Sequence, residues 1–206
     1  MMPDLAAGLW VGRHGMSMGA DTPLDQDPDR INHQVVKPGR RPAPQERAFG
    51  IRIARDGRWF HHGSPIERPA LVKLFATVLR RGPDGSHWLV TPVERGRIEV
   101  EDAPFVAVEL AVDGRGPGGR LRLRTNLDEW VTVGRGHPLH TRRPADQPSG
   151  AGLVPYVEVR GGLEARLARP VYYELMDLAE EDRVGAEIRF GVWSEGCFFP
   201  LDGDGE

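Results

Sequence analysis

A pattern that occurs twice in the chain limits its fold more than any other feature of the sequence. In each copy, two alternating segments joined by a glycine turn lead into Arg-Pro and an amphipathic helix. Aligning Arg68 with Arg169 also aligns Leu74 with Leu175. The alternative is that Arg-Pro recurs by chance in a common arrangement. A duplicated unit predicts an α+β fold of two related, β-rich units, each with one main helix.

Composition divides the 206 residues into four segments. Residues 1–48 contain stretches rich in Asp, Pro and Arg and too little apolar surface to order, which predicts a flexible leader. A small α+β domain at 49–102, a β-rich domain with one helix at 103–201 and a tail at 202–206 follow. Since about 50 residues are near the lower limit for an independent core, the first domain is expected to dock on the second. The junction is then the natural cleft.

Apolar periodicity predicts the two main helices over Pro69–Arg81 and from Pro170 to about Glu181. Two strands, Ser86–Val93 and Arg97–Glu101, follow the first helix. The residues between these strands, Glu94-Arg95-Gly96, are predicted to form the turn that joins them.

Charge and cysteine content exclude several functional classes. The 27 basic and 30 acidic side chains are interspersed and leave a net charge of -3, so nucleic acid is not an expected partner. A single cysteine, Cys197, excludes an intramolecular disulfide and a cysteine-based zinc site, and it suits a reducing cytoplasm. The sequence has no export signal and no apolar window of membrane-spanning length. We therefore expect a cytoplasmic protein without a membrane partner.

Short motifs give no catalytic assignment. The stretch from Gly114 to Gly119 matches the dinucleotide-binding glycine pattern, but a strand follows it where that site needs a helix, so a hairpin loop is predicted. Walker, nucleophile-elbow and metal-helix motifs are absent from the sequence. No cofactor, metal ion or catalytic residue is predicted.

Seven residues are predicted to bind a ligand at the domain junction. Arg169 precedes a proline that suits a helix start, so its guanidinium group could bind an anion near the helix N-terminus. An ion pair with a neighbouring carboxylate is an equally open alternative. Arg160 adds a donor and Tyr172 a ring face. The charged segment at the domain boundary, which an obligate apolar interface would exclude, adds the others: Glu94, Arg95, Arg97 and Asp102.

Several segments together resemble the bacterial family called domain of unknown function 1285. They are Phe60–Pro69, Trp88–Arg97, Asp102–Phe105, Arg124–Asn126, Tyr156–Ala165, Arg169–Tyr173, Gly191–Ser194 and Phe198–Pro200. The resemblance implies a small α+β N-terminal domain and a C-terminal β-roll superficially similar to a pleckstrin-homology fold. It also implies a nucleotide-like ligand at the interdomain surface and a part in signal transduction. The family brings no established activity.

The leading hypothesis is a non-enzymatic module that binds a small anionic ligand, such as a nucleotide, in the interdomain cleft. One alternative is an enzyme that uses Glu94 and Asp102 for proton transfer or metal binding, and another is a protein-interaction adaptor that uses a sheet edge. Carboxylates that face one point would favour the enzyme. Arginines beside an aromatic platform would favour the binding module.

Overall fold

A computed structural model describes residues 45–144, 152–184 and 186–203 of the chain. Within these ranges the chain forms sixteen strands and two α-helices, so the fold is α+β and strongly β-rich. The predicted leader at 1–48 lies outside the described residues except for its last four. Of these four, Gln45–Glu46 form a strand, so ordered structure begins before Phe49. None of the helices in the described ranges is long and apolar enough to cross a membrane.

The first half of the described chain forms one seven-stranded sheet and one helix. Its elements are β1 (Gln45–Glu46), β2 (Ile51–Ile53), β3 (Trp59–His61), β4 (Ser64–Pro65), α1 (Pro69–Thr77), β5 (Leu79–Arg81), β6 (His87–Val90) and β7 (Glu94–Val100). The strand order is β4-β3-β2-β7-β6-β5, and β1 pairs with the beginning of β7. Both β1 and β2 run parallel to β7, while the other neighbours are antiparallel.

The second half forms a six-stranded sheet, a helix and a three-stranded sheet. Its elements are β8 (Phe105–Asp113), β9 (Arg120–Thr125), β10 (Trp130–Thr132), β11 (Leu139–Arg142), β12 (Val154–Arg160), β13 (Leu163–Leu167), α2 (Arg169–Met176), β14 (Glu180–Val184), β15 (Glu187–Ser194) and β16 (Cys197–Pro200). The larger sheet has the order β10-β9-β8-β13-β12-β11, and the smaller one has the order β14-β15-β16.

The predicted duplication is confirmed as a repeated order of elements. A hairpin, a helix and a three-stranded antiparallel meander occur as β2–β3, α1 and β5–β7, and again as β12–β13, α2 and β14–β16. The copies differ in their pairing, because the first meander joins its hairpin through β2 and β7, whereas the second hairpin joins β8 through β13. The repeated unit therefore serves in two different sheets.

Leu74 and Leu175, which the Arg-Pro alignment pairs, differ in their burial. Leu74 is 60% exposed, whereas Leu175 is fully buried. Helix α1 buries Val72 and Ala76, and α2 buries Val171 and Leu175. Both helices thus bury residues four apart, as an amphipathic helix must, but their buried faces are shifted by two residues from the Arg-Pro alignment.

Both predicted helices extend too far, and the predicted turn at Glu94-Arg95-Gly96 is wrong. Helix α1 ends at Thr77, because Leu79–Arg81 pair with the neighbouring strand β6. Helix α2 ends at Met176, and the chain is a strand again from Glu180. The residues Glu94 to Gly96 belong to β7, where their partners lie on β6 and β1.

Gly96 is required where the chain before β2 crosses β7. A Cβ atom at this position would overlap the carbonyl oxygen of Arg47 and the ring of Phe49. We expect Gly96→Ala to lower the free energy of unfolding by about 1–3 kcal/mol, because the crossing segment must move away from the strand. Urea denaturation measures the loss. Gly136→Ala is the matched control, since no atom lies within 4 Å of the added Cβ and its stability should be unchanged.

Candidate functional site

A cavity of about 600 Å³ lies beside the N-terminus of α2, and we call it the α2 cleft. Residues from both halves of the chain line it. The first half contributes the turn between β2 and β3, and the second half contributes β8, the start of β12, the end of β13 and the first turn of α2. The polar and aromatic side chains at its wall are Arg55, Asp56, Arg166, Arg169, Tyr172 and Tyr173.

The first turn of α2 presents positive charge to this cleft. Arg169 is the first residue of the helix and is exposed. No side chain caps the N-terminus of α2, and its first turn carries no acidic residue. In the described part of the chain, no carboxylate pairs with Arg169. The open amide groups and the guanidinium group together form a favourable environment for an anion.

Two tyrosines on α2 supply an aromatic wall next to Arg169. The ring centroids of Tyr172 and Tyr173 are 5.8 Å apart, with the ring planes inclined at 42°. Tyr173 is 59% exposed, while Tyr172 is half-buried. An exposed ring beside a cationic group can pack on a flat ligand and leave its hydroxyl group free to hydrogen-bond.

Below the cleft, Arg166 connects to a buried network that centres on Asp102. The Asp102 side chain is only 5% exposed. Its carboxylate accepts a hydrogen bond from the Tyr156 hydroxyl group at 2.8 Å and pairs with Arg166 at 3.1 Å and Arg142 at 3.5 Å. Because three donors surround it, Asp102 has a structural role at the junction of the two halves.

The network changes the proton affinity of its members. Burial and the hydrogen bond to Asp102 raise the pKa of Tyr156 to about 12. Burial is the largest single influence on the pKa of Arg142 and lowers it, but the hydrogen bond to Glu164 and the charges of Glu164, Tyr156 and Asp102 together raise the net pKa. Both groups therefore keep their protons throughout the physiological pH range.

Two histidines beside this network predict an acid-sensitive junction. Burial is the main cause that lowers the pKa of both His87 and His140, partly opposed by Glu164. Arg81 also lowers the pKa of His87, and Arg142 that of His140. The unfolded state therefore binds protons more tightly than the folded state. The contribution of the two histidines to the free energy of unfolding is complete above about pH 6.5 and is lost as the pH falls below this value.

We expect the free energy of unfolding to decline between pH 7 and pH 5.5, with a slope of at most about 1.4 kcal/mol per pH unit for each histidine. Melting temperatures measured across this range should fall accordingly. The double substitution of His87 and His140 by glutamine should flatten this slope. An unchanged slope in the double variant would contradict the assignment of the two histidines. The exposed pair His61 and His62, replaced in the same way, is the control.

Comparisons with known proteins identify the family. Residues 41–103 match the model described as the N-terminal domain of the domain of unknown function DUF1285, and residues 104–201 match its C-terminal domain. The chain belongs to the DUF1285 family. The resemblance found in the sequence is thereby confirmed, and a search of curated proteins gives no match.

Two solved DUF1285 structures are similar to this chain. One is a DUF1285 family protein from Silicibacter pomeroyi DSS-3, with 44% identity, a TM-score of 0.68, and coverage of 77% of this chain and 82% of that one. The other, from Shewanella baltica OS155, has 26% identity, a TM-score of 0.47, and coverage of 62% of this chain and 91% of that one. The first supports the two-part, β-rich fold.

The structure of this DUF1285 protein separates the seven predicted site residues. Arg169 and Tyr172 line the α2 cleft, and Asp102 reaches it only through Arg166. Arg160 lies elsewhere, where it pairs with Glu129, donates to the carbonyl oxygen of Ala76 at 3.0 Å and covers the ring of Phe105. Three residues on β7 form a further group: Glu94, Arg95 and Arg97.

The β7 residues have partners of their own in the first half. Glu94 pairs with Arg47 at 3.3 Å. Arg95 pairs with Glu46 at 3.5 Å and lies 5.3 Å from the ring centre of Trp88. Arg97 is on the same strand, opposite Trp88. The prediction that these residues extend the site of Arg169 therefore has no geometric support in the described residues.

Sequence reasoning missed Arg55, Asp56 and Arg166 as cleft residues. For Arg166 a signal was available, since strict alternation in β13 buries Leu163, Ala165 and Leu167 and turns Arg166 to the opposite face. That face meets Tyr156 across the strand pair. Arg55 and Asp56 reach the cleft because the first half docks on the second; the sequence predicted the docking but not which residues it brings to the cleft.

Proposed function

We propose that this protein is a non-enzymatic module that binds a small anionic ligand, such as a nucleotide, in the α2 cleft. The observation that carries the proposal is Arg169, which lacks a carboxylate partner in the described residues and stands at an uncapped helix N-terminus beside two tyrosines. Guanidinium and amide groups suit a phosphate, and the tyrosine rings suit a flat base.

The size and lining of the α2 cleft agree with a ligand of this class. Its volume of about 600 Å³ falls in the range of sites that hold small molecules. Apolar residues from β8 and β12, including Val106, Val108 and Pro155, also line the cleft. A ligand with one anionic end and one aromatic end would suit this mixed lining.

An enzymatic role of Glu94 and Asp102 receives less support from the geometry. The side chain of Asp102 is buried and contacts Tyr156, Arg142 and Arg166, whereas Glu94 on β7 pairs with Arg47, the residue after β1. The two carboxylates have no common neighbour among these contacts, so they do not converge on one reacting atom.

The proposal includes a place in signal transduction, in the cytoplasm, with the ligand bound by a C-terminal domain of the pleckstrin-homology-like kind. The sheet of β8 to β13 with α2 at its side supports such a β-roll as the ligand-presenting half. A single half-buried cysteine agrees with a reducing compartment. Protein partners belong to the adaptor alternative, which replaces the binding module if no ligand is found.

A thermal-shift panel of AMP, ADP, ATP and cyclic nucleotides tests the function. At a concentration 100-fold above the dissociation constant, a ligand should raise the melting temperature of the wild type by roughly 5–10 °C. Arg169→Ala should abolish this shift without changing the melting temperature of the free protein, since Arg169 is exposed. Arg68→Ala is the matched control, because Arg68 is also exposed and precedes a helix-starting proline.

The proposal fails if no compound in the panel stabilises the protein at millimolar concentration. It also fails if Arg169→Ala and Arg68→Ala lose the shift equally, since the effect of charge would then not be local to the α2 cleft. A third variant, Arg169→Lys, keeps the charge and removes the planar fork, so it should retain part of the shift.

A further inference from the structure

A second cavity, larger than the α2 cleft, lies at the beginning of β9 in the second half. Its volume is about 920 Å³. Three arginines line it: Arg120 and Arg122 point outward from β9, because Leu121 and Leu123 alternate with them into the core, and Arg135 lies in a tight turn. We call this space the β9 cavity.

The charges in the β9 cavity are unevenly matched. Glu195 forms an ion pair with Arg120, and Asp113 lies directly opposite Arg120 on β8. The neighbours of Arg122 across the sheet are Ala111 and Thr132, which carry no charge. Within the described residues no carboxylate pairs with Arg122 or Arg135. Both carboxylates, Glu195 and Asp113, therefore lie beside Arg120, whereas Arg122 and Arg135 have no carboxylate partner among the described residues.

Glu195 occupies a backbone conformation that side chains rarely adopt. The hairpin between β15 and β16 has a two-residue turn, Glu195-Gly196, with φ angles of 50° and 71°. Such a turn favours asparagine before glycine. Here glutamate takes the place of asparagine. The Glu195 amide donates a hydrogen bond to the carbonyl oxygen of Gly119 at 2.9 Å, which holds the turn beside the beginning of β9. Local strain of this kind is typical of functional sites, and here it places a carboxylate on Arg120.

We propose that the β9 cavity binds a phosphorylated small molecule without an aromatic ring, and that the carboxylate of Glu195 competes with it for Arg120. Guanidinium groups recognise phosphate oxygens through paired hydrogen bonds, and Thr132 supplies a hydroxyl group at the same wall. No aromatic side chain lines the cavity among the described residues, and Arg122 lies 5.3 Å from the ring centre of Trp130 outside it. A ring in the ligand would have no partner to stack on.

The β9 cavity and the α2 cleft share none of their lining residues, so their ligands can be distinguished by substitution. Inorganic pyrophosphate is the probe, titrated by calorimetry into the full chain at low ionic strength. Arg122→Gln combined with Arg135→Gln should weaken pyrophosphate binding at least tenfold. Arg169→Ala should leave that binding at the β9 cavity in place.

Substitution of Glu195 gives the sharper test. Glu195→Asn should strengthen pyrophosphate binding about three- to tenfold, because Arg120 is released, and it should leave the melting temperature equal or raised, because asparagine suits the turn. Glu195→Gln removes the charge and keeps the side-chain length, so it should strengthen binding as well. Equal affinity in the wild type, the two Glu195 variants and the double arginine variant would overturn the proposal.

Two other outcomes would also overturn it. Absence of pyrophosphate binding at 5 mM in both the wild type and Glu195→Asn would show that the arginines do not form a site. Binding of a ten-nucleotide DNA strand without binding of pyrophosphate would assign the arginines to a nucleic-acid surface.

Discussion

Asp102→Ala is expected to lower the free energy of unfolding by about 3–5 kcal/mol, which is among the largest effects available to a single polar residue in this chain. Only 5% of the Asp102 side chain is exposed. Removal would leave the Tyr156 hydroxyl group and the guanidinium groups of Arg166 and Arg142 without their shared acceptor. Arg142 keeps its ion pair with Glu164, but Arg166 loses its carboxylate partner, and a charge left unpaired in such surroundings costs more than the ion pair contributed.

Chemical denaturation of Asp102→Ala and Asp102→Asn measures this effect. The asparagine variant keeps the volume and one acceptor for Tyr156, so its loss should be smaller. Glu109→Ala is the control, because Glu109 pairs with Arg124 at the surface and should contribute no more than about 1 kcal/mol. If Asp102→Ala costs no more than Glu109→Ala, the junction network does not hold the two halves together.

Phe105→Ala should lower the free energy of unfolding by a similar amount, about 3–5 kcal/mol, through the loss of a large buried ring. Phe105 is the first residue of β8, is fully buried, and lies under the guanidinium group of Arg160. It belongs to one continuous core that also contains Trp59 from the first half and Leu175 from α2. We therefore expect one cooperative unfolding transition both before and after the substitution.

Circular dichroism and tryptophan fluorescence, followed through the same denaturant series, test whether the transition is single. Val108→Ala on the same strand is the control, since Val108 is 40% exposed and should change stability little. Two separated transitions in Phe105→Ala would mean that the halves fold independently, and the α2 cleft would then lack a fixed wall from the first half.

Local sequence patterns predicted those helices and strands whose structure depends mainly on residues close together in the chain. Alternation identified the hairpin that ends in β3, and apolar spacing identified both helices and their proline starts. The helix ends were predicted too late, because the strand pairing of Leu79 with Leu89 and of Glu180 with Gly191 stops each helix. Pairing with a distant strand outweighs the weak helix preference of a few residues.

In the candidate site, too, local relations between residues were predicted and contacts between distant segments were not. Arg169 and Tyr172 were predicted together because they share one turn of one helix. Arg95 was included because it lies near the domain boundary in sequence, and Arg160 because it lies near Arg169 in sequence. Each has an ion-pair partner that sequence separation hides: Glu46 for Arg95 and Glu129 for Arg160. Contacts between distant segments depend on the packing of the two halves, which composition and periodicity do not specify.

The proposed binding site in the α2 cleft is tested most directly by nuclear magnetic resonance of the ¹⁵N-labelled full chain titrated with ADP. We predict that the largest amide shifts occur at Arg169, Val171 and Tyr172, with smaller shifts in the turn at Arg55 and Asp56, and that Arg169→Ala removes them. Shifts confined to other regions, or a spectrum unchanged at millimolar ADP, would contradict a nucleotide site in this cleft.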